Sequence, residues 1–178
     1  MTCIIGLAEG GKVWIGGDSA SSDGSWIVRA TAIEKVFQCP PFLLGCETSF
    51  RMMQILRYHL GDLPEQGESN TTAYMVKTFV ERIRRIFKEH GFAKIEDSKE
   101  EGGQFFVGYN GWLYLIGSDF QVNSYRDGLD AIGSGANLAL GAMKALDFLP
   151  PRERVERALE VAAYFSGGVM PPFTVLEG

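Results

Sequence analysis

The chain has 178 residues, 46% of them hydrophobic and 22% charged, with a net charge of −5. That composition fits one globular domain, residues 1–178, with a sizeable core, and excludes a disordered or fibrous chain. No segment concentrates Lys or Arg, so no nucleic-acid partner is expected. No run approaches the roughly 20 apolar residues of a membrane span, and Met1 leads into a strand pattern rather than a leader, so no membrane partner and a cytoplasmic setting are expected.

Residues 3–8 (CIIGLA) and 12–18 (KVWIGGD) are β-leaning runs around Gly10-Gly11, which predicts an antiparallel hairpin. Apolar residues occupy both alternating faces, Ile4 against Ile5 and Val13 against Trp14, so both sides of this sheet need cover. Short strands follow at 25–29, 34–38 and 41–45, with a break at Pro40-Pro41. Residues 49–60 carry Phe50, Met53, Leu56 and Leu60 at helical spacing before Gly61. Residues 72–90 carry Met75, Val76, Phe79, Val80, Ile83, Ile86 and Phe87 on one stripe before Gly91. Arg82, Arg84, Arg85 and Lys88 fall on the solvated side of that helix. The charged stretch 94–103 (KIEDSKEEGG) reads as a loop.

A second hairpin is predicted at 104–109 and 112–117 around Asn110-Gly111. Residues 130–146 run from a short strand through Gly133-Ser134-Gly135 into an Ala-rich helix. Pro150-Pro151 opens another helix, and Phe173 to Leu176 closes with a strand. Hairpins alternating with paired helices predict an α+β fold, a four-layer αββα sandwich.

Cys3, Cys39 and Cys46 share no metal or disulfide spacing and read as reduced, packed thiols. His59 and His90, the two histidines, sit among charged neighbours at helix ends and read as solvated. No metal and no cofactor are expected.

The first hairpin serves as a ruler. Pairing about Gly10-Gly11 puts Thr2 opposite Asp18 or Ser19, and Lys35 joins them if its strand adds to the same sheet. Thr2 is small enough for an initiator Met ahead of it to be trimmed, leaving a free amine. An α-amine with an ordinary pKa of about 7.7–8.0 can take the proton of its own hydroxyl at neutral pH. Lys35 would lower the proton affinity of that amine, and Asp18 would hold Lys35 in place. The chemistry such a group supports is acyl transfer. Cys3 is a rival nucleophile by position, but it lies on the opposite strand face and reads as packed. Gly133-Ser134-Gly135 before a helix lacks the longer phosphate-binding signature.

The run from Thr2 to Ala20 (TCIIGLAEGGKVWIGGDSA), Glu34-Lys35-Val36, and AIGSGANLALGA at 131–142 together resemble the proteasome β-type family, and most of all the HslV peptidases. Ser166-Gly167-Gly168 falls where that family carries a similar Ser-Gly-Gly. The resemblance implies an N-terminal nucleophile hydrolase with Thr2 as nucleophile and base, Asp18 and Lys35 as its electrostatic support, and Ser134 bonding the amine. It further implies protein or peptide substrates, stacked homo-oligomeric rings, and an ATPase ring that unfolds and feeds the substrate. A backbone N–H after residues 43–45 would stabilise the oxyanion. Here that segment reads GCETSF without paired glycines, and Ser49 is the counterpart by count. Ala163 stands where proteasome subunits place an Asp, as in HslV. Carbonyls of Ala163, Ser166 and Val169 match a monovalent-cation position of HslV. Two other readings keep the fold: an inactive ring or scaffold protein, towards which the altered oxyanion segment leans, and a non-peptidase amidohydrolase.

Overall fold

The opening hairpin forms where its turn places it. β1 (Ile4–Glu9) and β2 (Lys12–Gly17) run antiparallel, with Ile4 opposite Gly17 and Glu9 opposite Lys12. The structure, a computed structural model, describes residues 1–22, 28–67, 70–96 and 99–178. After β2 the chain forms a small ladder of β3 (Ala20–Ser22) and β4 (Val28–Ala30). Of the strand expected at 25–29, residues 25–27 lie outside the described residues.

β5 (Val36–Cys39) and β6 (Phe42–Cys46) form the next hairpin, and α1 (Phe50–His59) follows, capped by Ser49. The helix expected over 72–90 is a continuous run of α2 (Thr71–Tyr74), a π-turn at Met75–Phe79, and α3 (Val80–Glu89). The wider turn shifts the apolar stripe, so Met75, Phe79 and Val80 are all buried while Val76, expected on the stripe, is 47% exposed.

The stretch 94–103, expected as a loop, instead pairs β7 (Lys94–Glu96) with β8 (Lys99–Glu101). Lys94 sits opposite Glu101, and Glu100 is tied to Arg84 of α3 at 2.6 Å, so charge anchors the ladder where hydrophobicity does not. The basic face of α3 is correspondingly less free than expected. Arg84 also bonds Glu81, and Arg82 donates to the carbonyls of His59 and Leu60. His59 is exposed, but its ring stacks on half-buried His90 at 3.9 Å.

β9 (Phe105–Tyr109) and β10 (Trp112–Ile116) form the Asn110-Gly111 hairpin, followed by β11 (Val122–Asn123), β12 (Leu129–Ile132), α4 (Ala136–Ala145), α5 (Pro151–Phe165) and β13 (Thr174–Glu177). One sheet has the order β12-β1-β2-β13 and the other β11-β10-β9-β6-β5. Ile4, Val13, Ile15, Val36, Leu43 and Phe106 fill the space between them. On its outer face the first sheet sends Cys3, Ile5, Leu7 and Trp14 against Val155, Ala158 and Leu159 of α5. The second sends Leu44, Phe105, Val107 and Tyr114 against Met52, Leu56, Ile83 and Phe87 of α1 and α3. The layers are therefore α, β, β, α, and both faces of β1 and β2 are covered.

Candidate active site

Ahead of β1 the hairpin register continues beyond the Ile4–Gly17 pair. Asp18 N–H donates to the Cys3 carbonyl at 3.2 Å, and Cys3 N–H donates to Asp18 Oδ1 at 2.9 Å, so the ruler places the acidic residue beside the start of the strand. The Asp18 carboxylate is otherwise saturated. Oδ2 accepts from the N–H groups of Ala20 at 2.8 Å and Met170 at 3.2 Å, and Oδ1 also accepts from Lys35 Nζ at 2.8 Å. A buried carboxylate held by three backbone donors and an ammonium is fixed in place.

Lys35 reaches this point by a route the sequence does not predict. Its strand, β5, belongs to the other sheet, so Lys35 arrives across the gap between the sheets rather than along the first one. Nζ donates to both Asp18 Oδ1 and Thr2 Oγ1, the latter at 2.9 Å. Thr2, Asp18 and Lys35 are exposed by only 3%, 3% and 4%. Burial pushes the Lys35 ammonium below its ordinary pKa, and the Asp18 carboxylate opposes that shift.

Ser134 completes the group from the turn before α4. Thr2 N–H donates to Ser134 Oγ at 3.2 Å, Ser134 Oγ–H donates to the Thr2 carbonyl at 3.3 Å, and Gly135 N–H donates to the same carbonyl at 3.2 Å. The backbone approach is close: a Cβ on Gly133, whose φ is +95°, would stand 2.3 Å from the Thr2 carbonyl oxygen. All four residues singled out in the sequence thus meet around Thr2. In the structure Met1 remains bonded to Thr2, so the Thr2 nitrogen is an amide, and Thr2 Oγ1 hydrogen-bonds the Met1 carbonyl.

Thr2 opens onto a cleft of about 120 Å³ whose walls include Lys35, Glu47, Thr48, Ser49, Phe50 and Met53. The Cys46 N–H is spent on the Lys35 carbonyl at 2.9 Å and is not free to act as a donor in the cleft. Ser49 is committed to α1, with Oγ accepting from Arg51 N–H at 3.1 Å and Met52 N–H at 3.5 Å. Glu47 was not singled out from the sequence. A single acidic residue after a strand carries no pattern, and only the folded chain brings it to the wall of the cleft that Thr2 also lines.

Cys3 is fully buried on the other face of β1, and burial, reinforced by the Asp18 charge, pushes its thiol up to about 12. It is a packed thiol and not a nucleophile at neutral pH. Cys46 and half-buried Cys39 are likewise pushed up by burial, and all three cysteines are free. Of the carbonyls considered for a cation, that of Ser166 accepts the Val169 N–H at 3.2 Å in a turn after α5. Among the described residues no helix is long and apolar enough to cross a membrane.

No protein-family model matches the chain. Solved structures do share its fold. Thiobacillus denitrificans BPH superposes with a TM-score of 0.82 at 18% identity, over 99% of this chain and 97% of that one. Eukaryotic HslV from Trypanosoma brucei superposes with a TM-score of 0.69 at 18% identity over 98% of each chain. The chain has the fold of the HslV and proteasome β-type peptidases. BPH has also been solved in complex with epoxomicin. Anbu from Pseudomonas aeruginosa, solved as a helical assembly, has the same fold at a TM-score of 0.67 and 13% identity, over 99% of this chain and 80% of that one. The likeness in residues 2–36 and 131–142 thus extends to the whole arrangement of sheets and helices.

Proposed function

We propose that this chain is a threonine-type endopeptidase subunit whose nucleophile is Thr2 Oγ1 and whose base is the α-amine that Thr2 acquires once Met1 is removed. The observation that carries this reading is the contact of Lys35 Nζ, buried and paired with Asp18, with Thr2 Oγ1 at 2.9 Å. The amine takes the hydroxyl proton as Oγ1 attacks the substrate carbonyl, forming a C–O bond. It then returns the proton to the departing peptide amine as the C–N bond breaks. Water, activated by the same amine, hydrolyses the resulting ester. Lys35 stabilises negative charge on Oγ1, Asp18 positions Lys35, and Ser134 orients the amine. Backbone N–H groups between Glu47 and Ser49 are the candidates for oxyanion donors, since that of Cys46 is already used. The complex of BPH with epoxomicin supports a reactive centre of this kind in the shared fold.

The subunit works in a homo-oligomer, for which stacked rings fed by an ATPase are the proposed form. Exposed aromatic side chains at the end of α5, Tyr164 at 83% and Phe165 at 69%, supply apolar surface for contacts between copies. The Anbu helical assembly shows that the fold also builds open arrays, and size-exclusion with mass detection separates the two. The test of activity is hydrolysis of fluorogenic peptides by the purified chain and by Thr2→Ala. Turnover present in the first and absent in the second supports the assignment, and equal turnover by both overturns it.

A second reading rests on the segment after β6, which reads GCETSF without paired glycines. If it supplies no oxyanion donor, the chain is an inactive scaffold of the same fold. Turnover of small amides with no turnover of peptides would favour an amidohydrolase.

A further inference from the structure

Glu47 directly follows β6 and lines the cleft on which Thr2 and Lys35 open. Asp18 and Lys35, the charges nearest the nucleophile, are buried and matched to each other at 2.8 Å. Glu47 is half-buried and forms no ion pair among the described residues. Glu47 is therefore the acidic side chain without an ion pair that lines this cleft. The remaining walls suit a side chain with an apolar stem: Phe50 and Met53 are apolar, and Ala20 and Ser21 are short enough to leave room. Lysine and arginine have this construction, a hydrocarbon stem ending in a cation.

We propose that Glu47 makes the cleft selective for a lysine or arginine side chain on the residue whose carbonyl Thr2 attacks. This assignment rests on the peptidase reading above and specifies its substrate class. Burial pushes the Glu47 carboxyl above its ordinary value, while the Met1 amine, the Thr48 side chain and Lys35 act in the opposite direction. A carboxylate that has lost part of its water, and whose side-chain bond is to the neutral Thr48 rather than to a cation, gains from an arriving cation more than a fully hydrated one does.

The test compares two fluorescein-labelled peptides that differ only in a terminal arginine amide or leucine amide. Their binding to full-length Thr2→Ala is read by anisotropy, which needs no chemistry. The arginine peptide is expected to bind about tenfold more tightly, with the ratio falling towards one in Thr2→Ala/Glu47→Gln. Equal binding of the two peptides, no binding of either, or a preference that survives Glu47→Gln would overturn the assignment. The same ratio read as kcat/KM on the chain with Thr2 intact covers the case in which Thr2→Ala does not fold. Binding selectivity without turnover in any peptide removes the peptidase reading and with it the assignment of a substrate class, leaving cation binding by Glu47 alone.

Discussion

The space between the two sheets is filled in two ways. Along most of its length Ile4, Val13, Ile15, Val36, Leu43 and Phe106 meet as hydrocarbons, all of them 1% exposed or less. At one end the same gap holds Asp18, Lys35 and Thr2, equally shielded but polar. The apolar stretch tolerates a change of shape because its contacts are many and individually weak. The polar end depends on a few directional bonds, and removing one partner strands another. Stability is thus spread along the gap, whereas the proposed chemistry is concentrated at its margin.

Substitutions can break this contrast. The largest expected effect is on turnover: Thr2→Ala should lower peptide hydrolysis by about 10³-fold or more, with the far-UV spectrum and hydrodynamic size unchanged. Next is Lys35→Met, which keeps the stem but leaves Asp18 in the interior without its cation. It should lose activity and cost about 3–5 kcal/mol in urea denaturation. Ile15→Val in the apolar stretch should cost about 0.5–1.5 kcal/mol and leave kcat per folded molecule unchanged. If the valine variant lost activity to the same degree as the methionine variant, the division between the two regions would fail.

Smaller effects sharpen the same contrast. Glu47 carries its charge above its folded pKa and loses it below. Because burial raises that pKa above the ordinary 4.5, the preference for an arginine over a leucine peptide should decline on acidification at a higher pH than an exposed glutamate would give. A ratio that is flat across the acidic range would contradict this. Cys3, with its thiol pushed up to about 12, should resist iodoacetamide in the folded protein at neutral pH and react once urea unfolds it.

The sequence makes the site legible to different depths. Gly10-Gly11 sets a register short enough to count, so Thr2 and Asp18 could be placed together before any coordinates. The Gly133-Ser134-Gly135 turn was visible as a pattern, although the close approach to the Thr2 carbonyl that demands glycine at 133 was not. The sequence marks Lys35 but not the sheet it comes from, because local alternation defines a strand and not the sheet it joins. The four layers followed from periodicity, since apolar residues on both faces of β1 and β2 require cover on both sides. Val76 and the 94–101 ladder were misjudged for related reasons. A π-turn moves a helical stripe without changing composition, and a charged ladder tied to Arg84 has no hydrophobic alternation to reveal it.

The most direct test is the intact mass of the purified assembly before and after treatment with a peptide boronate, with the adduct mapped by proteolysis. The account predicts a chain lighter by one methionine residue and an adduct on Thr2 that is absent in Thr2→Ala. A chain that hydrolyses peptides while keeping Met1, or an adduct on any other residue, would contradict it.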